Sequence, residues 1–383
     1  MPLSPTMAIT SRTAELRARG VKIASLAAGE PAFDTPGEIV AAMAKAAEAG
    51  QTRYPPLRGL PPLRQAVAAR FSERYGIQFN SNNILVTQGG KQAIFAALTA
   101  LVGVGDEVLV PTPWWVSYPG QLAFLGARAV PVPMTPGLHR WSLSDAALEA
   151  AITPRTRGLI INSPHNPTGW TITPPEAASI ARFAEAHDLW VMCDDVYVGL
   201  ELDGRAPETL LGLEPTLAAR AIIVDSVSKR YAMTGWRVGF LGGPPALIEQ
   251  AAAWLSQTCS GIAPFAQVGA LEALKRADDA PEAWARHYAD NLDTLMRAIH
   301  TLGWSALRPE GAFYVFLGLP DDLGDDTAFA TTLLEDFHVA TVPGVGFGMP
   351  GYLRLSFACD AGELARGIDG LIRAAAARRR TEL

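Results

Sequence analysis

The chain has 383 residues, 49% hydrophobic and 18% charged, the composition of a folded protein too long for one compact core. Its 32 basic and 38 acidic residues give a net charge of −6 with no long run of one sign, which argues against nucleic acid or an anionic membrane as partner. Cys193, Cys259 and Cys359 are odd in number and far apart, as suits free thiols in a reducing cytoplasm; no secretion signal or bilayer-length apolar stretch is evident.

Residues 4–12 are small and polar, residues 13–20 read as a short helix stopped by Gly20, and 21–27 as a brief strand. Thr35 and Pro36 form an N-cap and N1 pair for a helix through residue 49. Pro55, Pro56, Gly59, Pro61 and Pro62 make 54–62 irregular, and an amphipathic helix follows at 63–75. Strands are then expected at 84–87, 106–110, 127–132, 158–162, 189–193, 221–224 and 238–241, with helices between them that include 174–186. This alternation predicts an α/β fold with a mostly parallel sheet sandwiched by helices. After Gly261 come a long helix at 283–302, strands at 313–317 and 353–357, and a terminal helix at 363–380. We expect an N-terminal arm and part of a small domain at 1–35, a large domain at 36–280, and a C-terminal α+β domain at 281–383.

Ligands of open α/β sheets sit beyond the carboxyl ends of the strands, so the polar residues there count together. Lys229 lies on a short connection between two buried strands with Ser226, Ser228 and Arg237. A desolvated lysine amine is a nucleophile, and two hydroxyls with a guanidinium suit a phosphate, a combination that points to pyridoxal phosphate held as a Schiff base. Taken alone, the same residues read more readily as a solvated surface loop. Gly89-Gly90-Lys91 opens a helix directly after a strand and offers free N–H groups to an anion. Trp115 suits the face of a flat cofactor, whereas Trp114 reads as core. Asn166, held extended before Pro167, has an amide suited to a phenolate oxygen. Asp194 ends a strand, with Tyr197 three residues on, and can pair with a protonated ring nitrogen. Helix capping is the alternative reading for Asp194 and Asp195, more so for Asp195, and His165 reads as a polar loop residue. Arg354 interrupts an apolar strand and needs a partner, either a substrate carboxylate or a structural acid.

Together these motifs resemble the class I/II aminotransferases, pyridoxal-phosphate enzymes of fold type I, from Gly29-Glu30-Pro31 to Leu353-Arg354-Leu355-Ser356. The resemblance implies that Lys229 is the Schiff-base lysine and proton shuttle, that Asp194 pairs with the pyridine nitrogen, and that Asn166 and Tyr197 bond the ring oxygen. It puts Gly90, Lys91, Ser226, Ser228 and Arg237 at the phosphate and Trp115 on the ring. Asn162 and Arg354 fall at the substrate α-carboxylate, with Gly29 on the substrate-side loop. Tyr54 matches a tyrosine that reaches the neighbouring subunit's phosphate, which implies a homodimer. No metal is called for. The implied reaction is a ping-pong exchange of an amino group between an L-amino acid and a 2-oxo acid.

Residues 86–92 and 232–237 resemble the bacterial aspartate/prephenate subgroup, in which the lysine matching Lys91 approaches a distal carboxylate, so aspartate and glutamate are the expected donors. Asp195 in place of the usual glutamate, and Val345-Gly346 in place of Ser-Ala, depart from the pattern. His165 and Cys359 are expected near the substrate side, which leaves aromatic, neutral or specialised donors open. A lyase or synthase on the same fold is the alternative reading. A non-catalytic regulator lacks the basic helix-turn-helix it would need.

Overall fold

A computed structural model describes residues 5–202, 204–275 and 279–381 of the chain. The apolar runs become seven strands of one sheet: β1 (Ile84–Thr87), β2 (Glu107–Thr112), β3 (Arg128–Pro133), β4 (Thr156–Asn162), β5 (Trp190–Asp194), β6 (Ala221–Ser226) and β7 (Gly239–Gly242). Their order is β1-β7-β6-β5-β4-β2-β3. Strand β7 runs antiparallel to both neighbours and the other pairings are parallel, so the sheet is mixed but mostly parallel.

Because successive side chains of a strand point to opposite faces, each apolar run feeds two cores. Ile160, Met192, Ile222 and Val224 join one, whereas Leu159, Ile161, Val191, Cys193 and Ile223 join the other. The covering helices include α1 (Pro5–Ala18), α2 (Gly37–Glu48), α3 (Pro61–Tyr75), α4 (Gly90–Leu101), α5 (Ser117–Phe124), α6 (Pro174–Ala186), α7 (Pro245–Thr258) and α8 (Pro264–Lys275). Helices α4, α5 and α7 close the first core; α2, α3, α6 and α8 close the second.

Beyond α9 (Asp279–Leu302), strands β8 (Ser305–Ala306), β9 (Tyr314–Gly318), β10 (Val342–Pro343) and β11 (Tyr352–Ser356) form an antiparallel sheet in the order β8-β9-β11-β10. Helices α10 (Asp326–Glu335) and α11 (Ala361–Thr381) pack with α9 around a third core that includes Leu292, Leu295, Phe329, Leu333, Leu355 and Leu371. The start of the chain returns here: Ala24–Ser25 pairs parallel with Val339–Ala340, and the Ser356 N–H donates to the Leu26 carbonyl at 2.7 Å. Among the described residues no helix is long and apolar enough to cross a membrane.

Three local expectations change. Helix α1 begins at Pro5 rather than at residue 13, with Pro5 as a natural first-turn residue, and Ile9 packs against the core. Thr35 does not cap α2: its hydroxyl donates to the Ala232 carbonyl at 2.6 Å and accepts from Trp236 Nε1 at 3.0 Å. Helix α3 starts at Pro61, two residues early, because prolines fit a helix's first turn.

Strand β7 controls the turn that precedes α4. A Cβ on Gly239 would lie 2.4 Å from the Gly89 carbonyl carbon and 2.6 Å from the Gly90 nitrogen, backbone atoms that cannot turn aside. Gly239→Ala should therefore cost about 1–3 kcal/mol of stability in urea unfolding; an unchanged midpoint would show that the turn can yield.

Candidate active site

Connections at the carboxyl ends of the parallel strands surround a cavity of about 290 Å³, near the lower end of small-molecule sites. Lys229 follows β6, and its amine donates to the Gly29 carbonyl. The nitrogen lies 5.9 Å from the Tyr197 ring centre and 6.0 Å from that of Phe313. Burial first, and then the charge of Arg354, lowers its pKa from 10.5 to about 8. About a tenth of such an amine is neutral at pH 7, enough for a nucleophile. The Gly29 loop is stitched to the Lys229 loop by Thr234 donating to Glu30 at 3.0 Å and by the two Thr35 bonds already described.

Helix α4 begins at Gly90 and Lys91 with no side-chain cap, so its first N–H groups suit an anion. Arg237 stands beside them in the left-handed region (φ 56°), a conformation costing roughly 1–2 kcal/mol in a non-glycine residue. Its Nη1 donates to the Thr234 carbonyl at 2.8 Å and its Nη2 to the Gln88 carbonyl at 3.1 Å. A Cβ on Gly89 would lie 2.7 Å from Nη2, so the glycine admits the guanidinium to the turn. Buried Ser226 and Ser228 line the same cavity, the Ser228 N–H donating to Ser226 Oγ at 3.3 Å. The Lys91 amine sits 5.1 Å over the Trp115 ring, its pKa lowered by burial and then by Arg237.

At the end of β5, Asp194 accepts a 2.5 Å hydrogen bond from Tyr118 of α5. Burial raises its pKa from 3.8 to about 6, with the Tyr118 bond opposing the rise. Asn162 at the end of β4 braces this corner: its Nδ2 donates to the Asp194 carbonyl and its Oδ1 accepts from the Asn166 N–H, both at 2.8 Å. One of its amide hydrogens remains for a ligand. The Asn166 Nδ2 donates to the Tyr197 hydroxyl at 3.4 Å, and its Oδ1 accepts from Arg354 Nη1 at 3.1 Å. Arg354 is 3% exposed, its Nη2 donates to the Ala27 carbonyl at 2.8 Å, and its Nε has no partner among the described residues. A buried guanidinium bonded only to a carbonyl and an amide still carries an unbalanced charge, which a carboxylate could answer.

The structure thus brings Gly29, Gly90, Lys91, Trp115, Asn162, Asn166, Asp194, Tyr197, Ser226, Ser228, Lys229, Arg237 and Arg354 to one cavity. Tyr54 lies outside it, 91% exposed. His165 and Cys359, expected near the substrate side, do not line it. His165 is buried against Thr168 Oγ1 at 2.8 Å, its pKa pushed down by desolvation to about 3, and buried Cys359 offers its carbonyl to His287 and Asn291. Asp195 is no cap: it is buried and accepts from the Tyr75 hydroxyl at 2.8 Å. Trp114 is half-buried, its ring closing on Gly348. Sequence reasoning missed Tyr118, three residues past Trp115, and Tyr314, which strand alternation places on the same face as Arg354.

A desolvated lysine amine, an anion cradle at a helix start and a waiting guanidinium, all at the carboxyl edge of an α/β sheet, define a lysine-dependent group-transfer enzyme. The particular family is aminotransferase class I and II: its profile matches residues 21–371, and the chain belongs to it. The aspartate/prephenate aminotransferase of Cereibacter sphaeroides is 38% identical over 368 residues, covering 93% of this chain and 92% of that one. Aspartate aminotransferase from Thermus thermophilus, solved with maleate, superposes with a TM-score of 0.90 at 35% identity, over 98% of this chain and 97% of that one. An aromatic aminotransferase from Pyrococcus horikoshii superposes at 0.89 with 34% identity, over 96% and 99% of the two chains. The protein is an aminotransferase of fold type I.

The Lys229 pKa has a consequence for stability. Folding disfavours its charged form, a penalty present in full below pH 8 and relieved as pH rises from 8 to 10.5. Lys229→Met should stabilise the ligand-free protein at pH 7 by about 1–3 kcal/mol in urea unfolding, with the gain fading towards pH 10. A gain independent of pH would mean that the amine is not desolvated.

Proposed function

We propose that this aminotransferase works with pyridoxal 5′-phosphate and moves an amino group between L-aspartate or L-glutamate and a 2-oxo acid by a ping-pong mechanism. The observation that carries the reading is the desolvated Lys229 amine sharing one cavity with Arg354, whose Nε has no partner among the described residues. The residues present fit the cofactor. The side-chain-free turn at Gly89 admits Arg237 beside the start of α4, and a buried carboxylate, Asp194, lines the same cavity. When bound, the cofactor supplies a carbonyl for amine exchange and an electron sink for the substrate α-carbon.

In this reading Gly90, Lys91, Ser226, Ser228 and Arg237 hold the phosphate, and Trp115 covers the ring. Asp194, ionised at neutral pH with its pKa near 6, keeps a proton on the ring nitrogen. Asn166 and Tyr197 donate to the ring oxygen. Arg354, with the spare amide hydrogen of Asn162, seats the substrate α-carboxylate beneath the Gly29 loop. Lys229 would hold the cofactor, and its Nζ would be the base that takes the substrate α-proton and returns it one position along. Lys91 meets the distal carboxylate, and the names of the relatives support that preference. The apolar wall of Met7, Ile94 and Val116, with the aromatic aminotransferase among the similar structures, favours aromatic or neutral donors as a second reading.

Tyr54 is exposed, and a groove lined by Gln88, Gln92, Phe95 and Phe124 adjoins Arg237. Both features support a homodimer in which Tyr54 reaches the phosphate of the neighbouring site. We also read 36–280 as the large domain and 281–383, with the N-terminal arm, as the small one. Light scattering should give twice the chain mass of 40.8 kDa; a monomer that retains full activity would remove the shared site.

Mixing the holoenzyme with single amino acids tests the chemistry. Aspartate and glutamate should change its absorbance within one turnover and release their 2-oxo acids. Lys229→Ala should abolish turnover while the cofactor stays bound. Lys91→Ala should lower kcat/KM for acidic donors by roughly tenfold more than for aromatic ones, which lose only its share of phosphate binding. Response to aromatic or neutral donors alone would replace the acidic reading, and ammonia or carbon dioxide as product would replace transamination.

A further inference from the structure

We propose that Tyr314 is a positioning residue of the site: its hydroxyl donates to Tyr197 and so aims the Tyr197 hydrogen into the cavity, while its ring seats the Arg354 guanidinium. The pyridoxal-phosphate reading above is assumed for what that hydrogen meets. Register puts Tyr314 opposite Ser356 and Phe316 opposite Arg354, so Tyr314 and Arg354 are diagonal neighbours on one face of the small sheet. Both are buried and both line the cavity. The guanidinium carbon lies 4.3 Å from the Tyr314 ring centre, and the Tyr314 and Tyr197 hydroxyls are 2.8 Å apart.

Counting hydrogens orders these contacts. A guanidinium only donates, so the Arg354 bond fixes the Asn166 oxygen toward Arg354 and the Asn166 Nδ2 toward Tyr197. The Tyr197 oxygen therefore already accepts one bond. It has one hydrogen, and a second accepted bond fills its lone pairs. The positive charge over the Tyr314 ring draws electron density from that phenol and makes it the better donor of the two. With Tyr314 donating, the Tyr197 hydrogen has only the cavity left to enter. A Cβ on Gly29 would lie 3.0 Å from the Tyr314 oxygen, so the glycine loop leaves this hydroxyl its room. Arg354, Asn166, Tyr197 and Tyr314 form a closed circuit that couples the carboxylate seat to the ring-oxygen seat.

The charged groups acting on the two phenols are Arg354, Asp194 and Glu30, with Lys229 beside the Tyr197 ring, and the variants below leave all four in place. A donor to the ring oxygen favours the state in which that oxygen carries full negative charge. Weakening the donor therefore raises the pH at which the lysine-linked chromophore loses its proton. In the holoenzyme, Tyr314→Phe should move the midpoint of the cofactor's absorbance titration up by about half to one unit, the equivalent of one hydrogen bond, with KM for the amino donor within about twofold of wild type. Tyr314→Leu should show the same shift and raise KM by roughly tenfold, because the ring under Arg354 is lost. A Tyr314→Phe midpoint within about 0.2 units of wild type overturns the hydroxyl's role, and an unchanged KM in Tyr314→Leu overturns that of the ring. Absence of any lysine-linked chromophore in the wild type would instead overturn the pyridoxal-phosphate reading, and this inference with it.

Discussion

Lys91, Lys229, Arg237 and Arg354 converge on a cavity that, among the described acidic residues, Asp194 alone lines. Lys91 and Arg237 keep contact with solvent, but Lys229 and Arg354 lie deeper and are costly to bury beside so little acid, and the structure relieves the cost in two ways. Lys229 loses part of its charge, and the guanidiniums of Arg237 and Arg354 are distributed over backbone carbonyls and one amide rather than neutralised. What remains is an electrostatic deficit that one phosphate and one or two carboxylates would fill. The rest of the fold can be understood as the scaffold that keeps this deficit from collapsing into internal ion pairs.

That scaffold draws on both sheets. The large one brings strand ends together, so Asn162 can tie the Asp194 backbone to that of Asn166, and Gly239 can press the Gly89-Gly90 turn into position. The small one contributes Arg354 and Tyr314, and it is joined to the large one through the Gly29 loop. That loop accepts the Lys229 amine, is bound by Thr234 and Ala232, and passes into a segment whose Leu26 carbonyl pairs with the end of β11. Lys229 and Arg354 thus meet through one short stretch of chain, the amine bonded to the Gly29 carbonyl and the guanidinium to that of Ala27.

Most of this was legible in the sequence wherever a local rule governed. Apolar runs separated by helical lengths gave away the sheet, and chemistry-bearing residues beyond strand ends, such as Lys229 and Asp194, could be collected by that rule alone. Legibility failed where a side chain's partner is set by distant chain. Thr35 has the identity and spacing of a helix cap, yet Trp236 and Ala232 lie closer to its hydroxyl. His165 has the chemistry of a base, but desolvation in a tight turn holds it neutral against Thr168. Tyr118 and Tyr314 carried no motif, because their function is to hold other side chains rather than to touch a ligand of recognisable shape.

Asp194 and Asp195 show how much can turn on the pleat of a single strand. They are adjacent, identical and both buried, yet Asp194 turns to Tyr118, in the core under α4, α5 and α7, while Asp195 turns to Tyr75 in the opposite core. On that second side Arg74 bonds Asp225 at 2.8 Å, and the acids have a cation to answer them. Among the described residues no cation is bonded to Asp194: its Oδ2 accepts from Tyr118, and its Oδ1 accepts a long 3.5 Å bond from the Val196 N–H, which leaves lone pairs for the cavity it lines. Burial raises both carboxyls, Asp195 to about 7 and Asp194 to about 6, and the lower value belongs to the residue that faces the site. A one-residue slip of β5 would exchange the two and leave the cavity facing a carboxyl already bonded to Tyr75. Pairing with the neighbouring strands, which sets Asp194 opposite Asn162 and Val224, and the Tyr118 and Tyr75 bonds on opposite faces hold the register and decide which aspartate is available for chemistry.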